Sequence, residues 1–415
     1  MTFRLIKAQR SRGTSVRLWA RDENGEKDYF EVNYKPYFYI LADEVLSDPA
    51  VTGTEWGHRS VFRDDLRKVY VSNPSEVPRL RGMVSRHFEA DVLYPRRYLV
   101  DKGVTAYFDI VKEQDQWVAV RADEPKTPPP IKVWYFDSEM DSSDRMPDPK
   151  VNPVTCWCLT DGKQVISAIL NDVSLQTQDG YWGIAHFEQE KHLLQFLLDT
   201  LWLVQPDVIA GWNIPFDLDY IKERMKASGI SLDLDGICDL DLLPAYRKLY
   251  RRGSYRLKDI AVAEGLAPSA ATTPDYGRLW REDKAGLLAL NKQHALWLAQ
   301  IDQKRRITAY LWGLKELCGL ENLEGTIYNS ALIDSMLLRE SKDVLPSKEE
   351  HEHEDYEGAF VMQPPPGVFK GVAILDLSRF FPSIILSEKL DPIILHHYLK
   401  WKESGLSMGE YIEPL

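Results

Sequence analysis

At 415 residues the chain exceeds the size at which one hydrophobic core stops growing, and it predicts two or three domains. Its 44% apolar and 27% charged residues exclude a disordered chain, and no apolar run reaches the ~18–20 residues of a membrane span. A net charge of −12 argues against a protein that coats nucleic acid but not against carboxylates gathered around metal ions, and four cysteines are too few for a disulfide framework, which points to a reducing, intracellular compartment.

In chain order, Phe3–Lys7, Ser15–Ala20, Tyr37–Leu41 and Lys68–Val71 read as strands and Pro78–His87 as a helix. The prolines of Lys126–Pro130 mark a boundary. Beyond it, Ile131–Phe136 is a short apolar run expected to be a buried strand, with Val151–Thr160 and Gln164–Leu170 as hairpin partners. Lys191–Val204 and Leu218–Ala227 have helical spacing, Asp207–Gly211 reads as another buried strand, and 278–318 is helical throughout. A charged stretch at Ser347–Asp355 marks a second boundary, after which Gly371–Leu375 is expected to enter one more buried strand. The fold class expected is α/β and α+β multidomain. The domains are drawn at 1–130, 131–330 and 366–415, with 332–365 returning to the first.

Three constellations carry chemistry. Asp376-Leu-Ser378-Arg379-Phe380-Phe381-Pro-Ser-Ile-Ile385 puts an acid directly after an apolar run, where a strand end can present a carboxylate to a metal ion. Asp137-Ser-Glu139 places two carboxylates two residues apart on a strand, hence on one side of it. A pair of metal ions held by such carboxylates is a standard device for phosphate chemistry. By itself Asp-x-Glu is common, but Asn213-Ile-Pro-Phe216-Asp217 follows a strand and opens a helix, adding a third acid.

Together these segments resemble the front part of a family B DNA polymerase of archaeal type. Asp376 to Ile385 looks like motif A, with Phe381 where the family has a tyrosine. The resemblance implies that Asp376 holds metal and that Phe381 walls off a 2′-hydroxyl beside Ser378, Arg379 and Phe380 in the nucleotide site. Tyr356-Glu-Gly358-Ala is similar to the segment that contacts template DNA between the two active regions. Asp137 and Glu139 match the first motif of the proofreading nucleases. Asn213, Phe216 and Asp217 match the second, one spacer residue short of the usual form; the resemblance implies that Asp217 supplies another carboxylate, that Asn213 contacts DNA or orders the site, and that Phe216 is DNA-binding. The resemblance therefore implies a mixed-sheet N-terminal DNA-handling domain, an RNase H-like 3′–5′ exonuclease fold and the beginning of a polymerase palm. Asp137, Glu139, Asp217 and Asp376 become catalytic metal ligands for Mg2+ or Mn2+.

The third nuclease motif departs from the family. Its Tyr-x-x-x-Asp should lie on the helix through Trp280 and Leu298, and register puts Leu290 in place of the tyrosine and His294 in place of the acid. Asp302 lies two turns on, roughly 12 Å along a helix axis, too far to substitute. The expectation is a nuclease weakened or lost within a retained fold. Tyr34–Ile40 and Arg96–Gly103 also match the family's N-terminal domain. The first resembles a template-uracil pocket, although aromatics at that spacing equally suit a strand core. Cys156 and Cys158 share a strand face as packing, and His351-Glu-His353 reads as a solvated linker.

The basic helix that binds the triphosphate (motif B) and the second palm acid (motif C) do not occur in these 415 residues. One acid cannot hold two metal ions against a triphosphate, so the chain is not expected to copy DNA alone. The partners expected are primer–template DNA, deoxynucleoside triphosphates and a second polypeptide carrying motifs B and C, which Ile393, Ile394, Leu395, Tyr398 and Trp401 would meet. An assembly factor derived from a polymerase, or the front of a longer enzyme, stands beside that reading. The location expected is cytoplasmic and nucleoid-associated, with no membrane partner.

Overall fold

A computed structural model describes the chain except residues 114, 143–145, 172–182, 269–274, 349–357, 359, 389, 391–399, 403, 404 and 406–415. Tyr356, the His351–His353 pair and the apolar residues 393–398 lie outside the described residues. Contacts divide the chain into one unit of Met1–Tyr34 with Leu93–Glu340 and a second of Lys35–Val92 with Ser341–Leu415. Residues 35–92 therefore group with 341–415, and the flanking 1–34 group with 93–340.

The first unit holds two sheets. Strands β1 (Thr2–Arg10), β2 (Ser15–Arg21), β3 (Lys27–Asn33), β8 (Tyr107–Glu113) and β9 (Gln116–Arg121) form an antiparallel sheet in the order β3-β2-β1-β8-β9. Leu5, Val16, Leu18 and Phe108 form its core with Tyr98 and Leu99 of helix α2 (Tyr94–Asp101).

The second sheet is mixed and carries the candidate site. It comprises β10 (Val133–Met140), β11 (Val154–Thr160), β12 (Val165–Leu170), β13 (Ile184–Phe187), β14 (Val208–Gly211) and β15 (Cys238–Asp241), in the order β13-β12-β11-β10-β14-β15. The β10–β11–β12 hairpins are antiparallel, whereas β14 joins β10 in parallel, as a strand–helix crossover requires. Helices cover both faces, which is why its strands read as apolar runs. On one face α3 (Glu190–Val204) and α4 (Ile214–Ala227) pack on Trp134, Phe136, Trp157 and Leu159. On the other, α5 (Leu242–Leu249), α6 (Leu257–Ala263), α8 (Lys284–Arg305) and α9 (Ile307–Cys318) pack on Tyr135, Val208, Ala210 and Leu240. Helices α7 (Tyr276–Glu282) and α10 (Asn329–Glu340) complete the unit. The mixed α/β multidomain class is the one expected.

The two sheets are joined by a buried ion pair. Arg21 and Asp207 have no exposed side-chain surface, and Arg21 Nε donates to Asp207 Oδ2 at 2.7 Å. Arg21 also donates to the Gly25 and Gln205 carbonyls at 2.6 Å each, and the Lys132 N–H donates to Asp207 Oδ2 at 2.9 Å.

In the second unit β4 (Tyr37–Leu41), β5 (Val51–Arg59), β6 (Asp65–Val71) and β7 (His87–Phe88) form a sheet in the order β5-β6-β4-β7. Phe38, Ile40, Val69 and Leu80 are its core. Tyr37 and Tyr39 are also buried, on the opposite face, with Lys68 Nζ 4.1 Å from the Tyr37 ring centre. The helix expected over Pro78–His87 is shorter: α1 (Val77–Arg81) stops at Gly82, and His87 pairs with Ile40 as strand. Bridges from Val344 to Ser60 and from Pro346 to Phe88 tie the later segment to this sheet.

Gly371–Leu375 is not the buried strand expected. Ile374 and Leu375 are over nine-tenths exposed, and among the described residues the segment pairs with no strand. An apolar run alone does not make a strand, which needs a hydrogen-bonding neighbour and a covering layer.

Candidate functional site

Strand β10 extends past the apolar run and takes the two acids with it. Alternation sends Trp134, Phe136 and Ser138 toward α4, and Tyr135, Asp137 and Glu139 toward α8. Cys158 and Cys156 pair directly across from Asp137 and Glu139, so they share the acids' face, and burial pushes the Cys158 thiol up to about 12.

Helix α8 crosses over that face and presents His294. Its Nδ1 lies 3.4 Å from Asp137 Oδ2 and 3.5 Å from Glu139 Oε1, all three side chains being at least 85% buried. The three offer ligand atoms within 4.8 Å of one another, a spacing that could hold a metal ion. One turn earlier on the same face, fully buried Asn291 donates from Nδ2 to Asp137 Oδ2 at 2.8 Å. Asp302 is not part of this group: it accepts from Tyr135 Oη at 2.7 Å and the Thr308 N–H at 2.8 Å.

Helix α4 brings the remaining residues. It begins at Ile214, four residues before the start expected, because Pro215 suits a first turn and Asn213 tolerates the left-handed φ of 64° required just before it. The preceding Gly211 admits no side chain, since a Cβ there would lie 2.5 Å from Ile214 Cδ1. The Asn213 N–H donates to Asp241 Oδ1 at 2.8 Å, leaving its side chain exposed. Phe216 is 38% exposed, while Asp217 is buried and accepts from Ser138 Oγ at 2.6 Å.

Asp137, Ser138, Glu139, Asp217 and His294 line one cleft of about 500 Å³, which also takes in Asn213, Phe216, Tyr276 and Leu290. Its electrostatics follow from burial. Burial, reinforced by the Asp137 charge, raises Glu139 to about 7 against the opposing pull of nearby His294. Burial disfavours the imidazolium of His294, yet Asp137 and Glu139 outweigh it and raise the group to about 10. Burial and the same two carboxylates push Asp217 well up, opposed by the Ser138 hydrogen bond. The cleft therefore gathers three acids around one imidazole, whose single charge can balance only one of them, and burial pushes Glu139 and Asp217 toward the neutral acid.

Comparison with known proteins sets this geometry in context. Residues 85–259 match the exonuclease domain of DNA polymerase family B, and residues 326–409 match DNA polymerase family B itself, together more than half of the chain. The chain belongs to the family B DNA polymerases. It is 27% identical to a DNA polymerase of Archaeoglobus fulgidus over 91% of its own length and 52% of that protein. It is 23% identical to a DNA polymerase of Pyrococcus horikoshii, over 92% of itself and 33% of the other. A solved family B polymerase from Pyrobaculum calidifontis shares the fold, with a TM-score of 0.71 at 24% identity over 93% of this chain and 57% of that one. The chain thus spans about half the length, or less, of these relatives and contains the exonuclease domain and the start of the polymerase domain.

Within this family B chain, the structure brings Asp137, Glu139 and Asp217 to one cleft and puts Asn213 and Phe216 at its rim. It does the same for His294 and Leu290. Asn291 and Tyr276 were missed by sequence reasoning. Asn291 was detectable as His294 minus three on one helix; Tyr276, whose ring centre lies 6.3 Å from that of His294, comes from α7 and carried no signal.

In the second unit, Arg379 takes a left-handed φ of 56° and caps α11 (Phe380–Ser387). Asp376, Ser378, Phe380 and Phe381 are exposed, as is Gly358. Among the described residues no other carboxylate joins Asp376 in a metal-holding group. Also among the described residues, no helix is long and apolar enough to cross a membrane.

Proposed function

We propose that this chain is the N-terminal part of a DNA-directed DNA polymerase that holds primer–template DNA and contributes Asp376 to nucleotidyl transfer. In this reading a second polypeptide supplies the remaining palm acid, the triphosphate-binding helix, the fingers and the thumb. The observation that carries it is the co-linear match of an exonuclease domain and a following polymerase segment, with Asp376 and Phe381 inside the latter.

Each residue then has a task. Phe381 bars a 2′-hydroxyl, with Ser378, Arg379 and Phe380 beside the incoming deoxynucleoside triphosphate. Tyr356 and Gly358 meet the template, and Phe216 and Asn213 hold a frayed 3′ end at the cleft rim, where an exposed ring suits base stacking. Residues 1–130 with 332–365 handle DNA, 131–330 form the nuclease fold and 366–415 begin the palm. The work is done on DNA at the nucleoid, in the cytoplasm.

The nuclease fold is read as weak or inactive. Excision in this fold calls for Mg2+ or Mn2+, which when bound neutralises phosphate oxygens and acidifies a water. The donors fit one cation through Asp137, Glu139 and His294. They do not fit a pair, since an imidazole replaces an acid and adds no negative charge, and Asp217 is not among the three residues whose ligand atoms converge. Asp376 would hold the same class of ion in the completed palm.

Co-purification from the native host, then primer extension with and without the co-purified chain, tests the proposal. Extension only from the complex is the expected result. No extension from the complex would leave a non-catalytic DNA-binding or assembly factor.

A further inference from the structure

The donor set at the nuclease cleft differs in kind from an all-carboxylate one, and its spacing is informative. A strong ionic hydrogen bond between an imidazolium and a carboxylate closes to ~2.7–2.9 Å. His294 Nδ1 instead stands 3.4 and 3.5 Å from one oxygen of each acid. For a tetrahedral ion with bonds of ~2.1 Å, adjacent donors lie ~3.4 Å apart. For an octahedral Mg2+ with bonds of the same length, adjacent donors lie ~3.0 Å apart. The two separations from His294 match the tetrahedral spacing better than the octahedral one.

A second feature lies beside the same acids. Asn291 is fully buried and donates from Nδ2 to Asp137, yet among the described residues its Oδ1 accepts nothing. An unpaired buried amide oxygen costs about 1–3 kcal/mol unless something donates to it. A water completing the coordination shell of a bound ion is such a donor, and Asn291 also has the place of a partner that orients a ligating carboxylate.

We propose that Asp137, Glu139 and His294 form a single-ion site that takes a borderline transition-metal cation of the Zn2+ class in preference to Mg2+. Imidazole nitrogen suits Zn2+ and its neighbours, whereas Mg2+ favours oxygen donors and keeps its waters. The inference deepens the reading of a nuclease fold that has lost its two-ion chemistry, and it rests on that reading. A site built for one ion can hold the sheet and α8 together, a structural role that needs no turnover.

The test is made on purified, metal-stripped protein without DNA, using Co2+ as a spectroscopic stand-in for Zn2+. One equivalent of Co2+ should produce the intense visible absorption of a low-coordinate site, and Zn2+ should displace it. Mg2+ should compete at least tenfold less well. His294→Gln and Asp137→Asn should each weaken Co2+ binding at least tenfold, with circular dichroism confirming that both fold. His294→Asp should reverse the preference toward Mg2+. Equal affinity for Co2+ and Mg2+, an unchanged Co2+ spectrum in His294→Gln, or no Co2+ binding at all would overturn the inference. Because no DNA is present, such a failure leaves the excision reading untouched, while brisk Mg2+-dependent excision would sink that reading without altering the Co2+ result.

Discussion

Replacing Asp207 by alanine removes the carboxylate that faces both the Arg21 guanidinium, which has no exposed surface, and the buried Lys27 ammonium. Arg21 keeps two carbonyl acceptors, at Gly25 and Gln205, so its Nη groups stay paired while Nε and the charge do not. The Lys132 N–H loses its acceptor as well. Breaking a buried pair from one side costs about 3–5 kcal/mol, because the orphaned charge remains buried. In a unit of this size that lowers Tm by roughly 6–10 °C. Asparagine retains one acceptor oxygen for Arg21 Nε or Lys132 and should cost about half as much. The double replacement Arg21→Met with Asp207→Leu removes both of these charges but leaves the buried Lys27 ammonium, 3.6 Å from Asp207 Oδ1, without that carboxylate, so it should recover only part of the loss. Thermal and urea unfolding followed by circular dichroism provide the measurement. A D207A protein within about 1 kcal/mol of the parent, or a double variant no better than D207A, would show that this pair does not hold the N-terminal sheet to the nuclease sheet.

Three further outcomes follow from single groups. Burial opposes the charge of Glu264, but hydrogen bonds from Arg305, Tyr246 and Arg252 prevail and hold it near 2 against an ordinary 4.5. Its contribution is therefore fully present above about pH 4.5 and is lost as pH falls toward 2, so Glu264→Gln should flatten the decline of Tm across that window; an unchanged decline would deny the linkage. Phe216→Ala should weaken binding of single-stranded 3′ ends by about 5- to 100-fold, the worth of one stacked base, as read by fluorescence anisotropy. Equal binding would remove the ring from the proposed path. In a reconstituted polymerase, Phe381→Ala should raise ribonucleotide incorporation at least tenfold relative to deoxynucleotide, and unchanged discrimination would remove Phe381 from the nucleotide site.

The nuclease half of this account was legible because its signals are local. Two acids two apart on a strand must share a face, and a helix register fixes which residue lies over them, so His294 was located before any coordinates. Its partner Asn291 followed the same periodicity but looked like an ordinary polar helix residue. Tyr276 and the Ser138–Asp217 hydrogen bond depend on how separate elements pack, which no spacing encodes. The apolar run before Asp376 misled for a related reason. GVAIL has strand composition, but its exposure reflects the lack of a paired neighbour among the described residues, a property of context. The grouping of 35–92 with the later segment was hidden because it rests on bridges more than 250 residues apart in sequence, Ser60 to Val344 and Phe88 to Pro346.

The central claim is that His294 stands where an excising nuclease needs an acid. Purified protein given a 3′-mismatched primer and Mg2+ or Mn2+ tests it most directly, beside the double variant Leu290→Tyr with His294→Asp. The account predicts excision by the parent at least about 100-fold slower than by that variant, the usual scale for a positioned acid–base group. Brisk excision by the parent, abolished by Asp137→Ala, would contradict it.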